Sequence, residues 1–227
     1  MDKHSIAMRK QCLQTQTRLQ LLFKDPARGE EALELFRAQH AKLHAVGVAN
    51  PPLWSFEDAA LEGLPEEAAR IIPEGQEHTI AWLLWHIARC EDATMNLLVG
   101  GTGQVLDAAW LKRLGVSITD TGNCMTRAEI LAFSAGVDFV ALRAYRLAVG
   151  RRTQEITITL QPGDLHRKVD PRRMERIWSE GVVLEGSRGI ADYWSRRDTA
   201  GLLFMPAGRH LITHLDEIGE VRKALGF

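Results

Sequence analysis

Residues 76–99 read Gln76-Glu-His78-Thr-Ile80-Ala-Trp82-Leu-Leu-Trp85-His86-Ile-Ala-Arg89-Cys90-Glu91-Asp92-Ala-Thr-Met95-Asn-Leu97-Leu98-Val99, and this stretch decides the fold. Ile80, Trp82, Leu83, Leu84, Trp85 and Ile87 fall on more than one side of a helix, and Met95, Leu97 and Leu98 continue an apolar face as far as Gly100-Gly101. A helix apolar around its circumference must be covered on all sides, which is the environment at the centre of a helical bundle. Arg89, Glu91 and Asp92 interrupt the run and make it unsuitable as a membrane span.

The surrounding composition fits that reading. The 227 residues are 45% hydrophobic and 25% charged, ordinary for a single globular domain, with a net charge of −1. No basic block is present to bind nucleic acid or anionic lipid, so the expected partner is a small-molecule substrate, with no nucleic acid and no membrane. No apolar run of signal-peptide length occurs in the first 24 residues, and the expected location is cytoplasmic. Cys12, Cys90 and Cys124 form neither an even framework nor a CxxC pair and are read as reduced thiols.

Outward from residues 76–99, helical signals dominate. Residues 1–24 read as a helical N-terminal extension, and residues 25–227 as the bundle domain. Asp25-Pro26 is a start signal for a helix running to about Val46, with Leu33, Phe36 and His40 on one face and Asn50-Pro-Pro52 beyond its end. Ser55-Phe-Glu-Asp58 opens a short helix. Residues 100–125 form a long connection with a short helical piece at 106–114, and Thr126-Arg-Ala-Glu129 is a capping box opening a helix to Gly150. Ile156-Thr-Ile158-Thr-Leu160 alternates like a strand but has no evident partner, and is read as helix or extended loop. Pro171 to Val183 reads as a further helix. Pro206 marks the start of the last one, which ends at Gly226. Four long helices with shorter extras make the expected class all-α, a four-helix bundle.

The last helix carries His210 and His214 at i and i+4, about 5–6 Å apart at Cβ and able to reach one cation together. A third ligand must come from elsewhere, and His86 is the candidate. Three neutral imidazoles suit Zn²⁺, Ni²⁺, Fe²⁺ or Mn²⁺ and leave coordination positions open. Glu217, three residues past His214, is the candidate catalytic acid, in the role of orienter, general base or plain helix-surface carboxylate. The bland alternatives are two unrelated histidines and a hydrogen-bonded core His86. His40 and His44 form a second i, i+4 pair, read chiefly as the polar edge of a surface helix. Cys90 is read as a buried thiol, with soft ligation as the alternative. Trp82 and Trp85 are read as core, and Trp178 and Trp194 as possible pocket walls. Gly100-Gly-Thr-Gly103 follows a helix and lacks a P-loop lysine, and no GxSxG elbow is present.

The segments His78-Thr-Ile-Ala-Trp-Leu-Leu-Trp-His86-Ile-Ala-Arg-Cys-Glu-Asp and Gly201-Leu-Leu-Phe-Met-Pro-Ala-Gly-Arg-His210-Leu-Ile-Thr-His214-Leu-Asp-Glu resemble the DinB-like, DNA-damage-inducible family of metalloenzymes. The resemblance implies a four-helix bundle with a long crossover between the second and third helices. It implies a divalent metal ion held by His86, His210 and His214, and for some members transferase chemistry on low-molecular-weight thiols such as bacillithiol or mycothiol. It also implies a homodimer. Residues 1–24 and the pair His40/His44 have no place on the family pattern. The resulting expectation is a metal-dependent transferase or hydrolase that activates a low-molecular-weight thiol or water. The alternatives are a non-catalytic metal-binding or sensing protein and a metal-free dimeric bundle.

Overall fold

The computed structural model describes residues 3–48 and 54–227 and is all-α; among the described residues the one β-type pairing is an isolated bridge between Lys168 and Asp198. Helix α1 (Lys3–Leu22) packs along α2 (Gly29–Leu43), where Leu19 and Leu22 join Leu33 and Phe36 in one apolar cluster. The Asp25 carboxylate accepts from the amide of Ala27 at 3.0 Å, but it caps a single 3₁₀ turn, so α2 itself begins only at Gly29. α2 also ends earlier than its pattern suggests, at Leu43; the Asn50-Pro-Pro52 signal lies outside the described residues. Ser55 caps α3 (Phe56–Leu61) through the amide of Asp58 at 2.9 Å.

Helix α4 (Ile80–Asp92) is capped by Thr79, and every one of its residues is buried. Ile80, Leu83, Leu84 and Ile87 are each fully enclosed, a burial that contributes about 1.5–3 kcal/mol per side chain. The helix continues as a wide π-type segment, Ala93–Gly100, and stops at Gly101, whose φ of +66° suits glycine.

The crossover that follows is fastened to α4 by buried charge. Asp92 accepts from the amides of Val105 and Leu106 at 2.8 and 2.9 Å and pairs with Arg89 at 2.9 Å. Arg89 in turn donates to the carbonyl of Thr119, at 3.0 Å from Nε and 2.8 Å from Nη2. The charges therefore satisfy both each other and backbone groups that a buried loop would otherwise leave unpaired. α5 (Ala108–Leu114) lies within this crossover.

The Thr126/Glu129 capping box opens α6 (Arg127–Gly136) as expected, but the helix does not run on to Gly150. It breaks at Val137, Asp138 caps a new start through the amide of Ala141 at 2.8 Å, and α7 (Phe139–Thr159) follows. α7 takes in Ile156 to Thr159, whose alternation is thus helical. Helices α8 (Pro171–Ser179), α9 (Arg188–Ser195) and α10 (Thr199–Phe204) lead to α11 (His210–Ala224). Pro206 does not begin the last helix. It sits in a π-type turn, Met205–Arg209, that joins α10 to α11, where the amide of His210 bonds to the carbonyl of Met205. Asp198 gives the start instead, capping Gly201 at 2.9 Å. A wider turn accommodates a residue that lacks an N–H without ending the helix.

α4 lies at the centre, against α7 on one side and α11 on another, while α2 packs on α7 and on the Met205–Arg209 turn. Among the described residues no helix is long and apolar enough to cross a membrane.

Candidate metal centre

His86 projects from the middle of α4 toward the start of α11, where His210 and His214 share a face. The Nε2 atom of His210 lies 3.1 Å from Nε2 of His86 and 3.1 Å from Nε2 of His214. The three rings meet edge to face, with centroids 4.5 to 5.0 Å apart. The spacing read from the sequence therefore brings together all three proposed ligands.

For His86 and His214 the far side of the ring fixes what the near side can do. The carbonyl of Thr121 can only accept, so His86 Nδ1, at 2.8 Å, carries the proton and the neutral ring presents a lone pair at Nε2. Glu217 Oε2 stands 2.7 Å from Nδ1 of His214, which leaves Nε2 of that ring as a lone pair too. Burial brings His86 down to about 4 and holds His210 well below the ordinary imidazole range, with mutual repulsion among the rings adding to it. The three Nε2 atoms converge on one point. Converging imidazole nitrogens are poorly satisfied by one another, and a cation among them resolves the conflict. The donor set fits a divalent ion.

Glu217 is held at both oxygens, by His214 and by Nδ1 of His78 at 2.7 Å. Burial pushes its carboxyl up, but the hydrogen bonds from His214 and His78 outweigh this and bring it down to about 2. Trp82 is stacked between His78 and His86, at centroid distances of 4.1 and 4.8 Å. Gly122, beside the Thr121 carbonyl, has φ +79°, and a Cβ there would stand 2.8 Å from Trp82 Nε1. Only a glycine lets the crossover come close enough to orient His86.

A cavity of about 240 Å³ reaches the site from the side of α9 and the Met205–Arg209 turn, lined by His86, His210, Cys90, Tyr193, Trp194 and Met205. Its rim includes the exposed Asn123 and Gly189, so it opens to the surface. Trp194 thus lines a pocket as expected, and Trp178 stacks under Arg188. Cys90 Sγ is 4.0 Å from both ring nitrogens of His86 and stands outside the set of converging donors. On the other side, Glu217 faces a groove of about 720 Å³ whose opposite wall includes Leu13 and Gln16 of α1.

The DinB superfamily model matches residues 57–218, well over half of the chain and all three histidines. The chain belongs to the DinB superfamily. No curated protein matches it at a significant level. The DinB match leaves out α1 and α2, and with them His40 and His44 of a second cluster whose third member, Glu91, lies inside it. His40 and His44 are not the polar edge of a surface helix: both are fully buried, facing Glu91 of α4. The helical period of α2 correctly put them on the apolar face. Which group lay opposite was not legible, because it comes from 47 or more positions away in sequence. His78 was also missed as a site residue, since it precedes the Thr79 cap and so has no helical register to relate it to Glu217.

Proposed function

We propose that this DinB protein is a divalent-metal-dependent enzyme in which His86, His210 and His214 hold Zn²⁺, Ni²⁺, Fe²⁺ or Mn²⁺, and that it activates a low-molecular-weight thiol or water for transfer or hydrolysis. The observation that carries the reading is the convergence of three Nε2 atoms at the end of an open cavity, with Nδ1 of His86 tied to Thr121 and Nδ1 of His214 tied to Glu217. The bound ion supplies positive charge that acidifies a thiol or water near neutral pH.

The chain's own residues divide the remaining work. The Thr121 carbonyl keeps the Nδ1 proton on His86, and Glu217 does the same for His214, which makes Glu217 a positioning residue with no free oxygen to act as base. Tyr193, Trp194 and Met205 give the cavity an apolar wall suited to an uncharged electrophile. Burial pushes the Cys90 thiol up to about 12, so it stays protonated and the nucleophile comes from outside the chain. The open cavity favours catalysis over metal storage or sensing. A net charge of −1 without a basic block supports a small-molecule substrate and neither nucleic acid nor membrane. Thiol transfer and a homodimer rest on family resemblance, and a cytoplasmic location on the absence of a signal-peptide-length apolar run in residues 1–24.

Tag-free protein tests the reading by zinc titration against a chromophoric chelator, together with a thiol-transfer assay using small thiols and an apolar electrophile. His86→Ala should weaken zinc binding at this site at least tenfold and abolish turnover. Unchanged affinity in that variant would sink the proposal.

A further inference from the structure

His40 and His44 of α2 and its C-cap meet Glu91 of α4 in a chamber closed to solvent, all three side chains fully buried. His40 Nε2 lies 2.7 Å from Glu91 Oε1, and His44 Nε2 lies 2.9 Å from Oε2. The two halves of this arrangement are not equally satisfied. On one side, Thr153 of α7 donates to Oε1 at 2.7 Å and Gln154 reaches His40 Nδ1 at 2.8 Å. On the other, Glu91 Oε2 and both nitrogens of His44 have no hydrogen-bond partner. The 2.9 Å approach of His44 to Oε2 is close enough for a hydrogen bond but is not aligned as one.

A cation among the three donors would satisfy His44 Nε2 and Glu91 Oε2, which have no partner, and would take the place of the proton that joins His40 to Oε1. We propose that His40, His44 and Glu91 form a second divalent-metal site, independent of the three-histidine centre, that ties α2 to α4. Two imidazoles and a carboxylate suit Zn²⁺, Fe²⁺ or Mn²⁺, and bonds of about 2.0–2.2 Å require the donors to be only slightly farther apart than they stand. A proton is the competing occupant. It satisfies the His40 half but not the orphaned half, where His44 Nε2 and Glu91 Oε2 stand 2.9 Å apart without an aligned hydrogen bond. Ligation through Nε2 puts the remaining proton of His40 on Nδ1, beside the Gln154 amide, whose nitrogen also donates to the carbonyl of Arg37 at 3.1 Å. His44 is brought to the site by Gly150 of α7, where a Cβ would stand 2.6 Å from its Nδ1.

Zinc counted per chain in dialysed, tag-free, full-length protein tests this. Two ions are expected in the wild type, one in a His86→Ala/His210→Ala variant and one in Glu91→Gln, with far-UV circular dichroism checking that each is folded. Loss of all zinc from the His86/His210 variant, or an unchanged count in Glu91→Gln, would overturn the second site. If Glu91→Gln does not fold, His44→Gln takes its place and the His86/His210 variant, whose second cluster is intact, still decides. A wild type holding one ion that only the Glu91 or His44 change removes supports this site and contradicts the three-histidine reading, so the two claims fail separately.

Discussion

Glu217 joins two histidines that the chain brings from far apart, His78 ahead of α4 and His214 within α11. Its carboxylate selects the Nδ1–H tautomer of His214, and an amide in its place does so only in one of two orientations. Glu217→Gln is therefore expected to lower zinc affinity at the three-histidine centre by about 10–100-fold, the usual effect of losing a carboxylate behind a ligating histidine. Competition titration checks this, and the melting temperature of metal-free protein should change far less. The ligands themselves were legible because spacing and apolar context carry them: i, i+4 on one helix, and a lone imidazole within a run of Leu, Ile and Trp. The Glu217–His78 contact was not, since it depends on how two helices approach.

Elements in this chain are set by caps more than by the periodic pattern alone. Thr79, Asp138 and Asp198 each accept from an amide at the start of a helix, and the last two move boundaries that an unbroken apolar pattern would place elsewhere. The break at Val137-Asp138 was hidden because the apolar period persists on both sides of it. Pro206 misled for the opposite reason: proline is common at a helix start, but here it occupies a wide turn that sets the register of His210 against the cavity. α7 contributes by what it lacks. Gly150→Ala would drive a methyl into the His44 ring, and with no space to relax it should cost about 1–3 kcal/mol in urea unfolding. A substitution cost near zero would mean that the ring is not held against α7.

At the scale of the whole molecule, the long crossover is part of the site. Arg89 and Asp92 pin it to α4, and two residues beyond the pinned Thr119 carbonyl, Thr121 fixes His86. Arg89→Ala leaves Asp92 buried without its partner, so a loss of about 3–5 kcal/mol is expected in chemical denaturation, with weaker zinc binding in the protein that remains folded. A helical bundle was evident from the apolar circumference of α4. How the connection of residues 101–126 returned to the site was not, because its anchors are single polar side chains without a periodic signature. The packing of α1 on α2 likewise escaped a reading based on stripes, as its buried residues are few and widely spaced.

The central claim is that a divalent ion sits among His86, His210 and His214. Anomalous diffraction at the zinc edge, from crystals of tag-free protein grown with zinc, tests it most directly. A peak about 2.0–2.1 Å from all three Nε2 atoms is expected. A map without a peak between those rings, at a zinc concentration that saturates binding in solution, would contradict it.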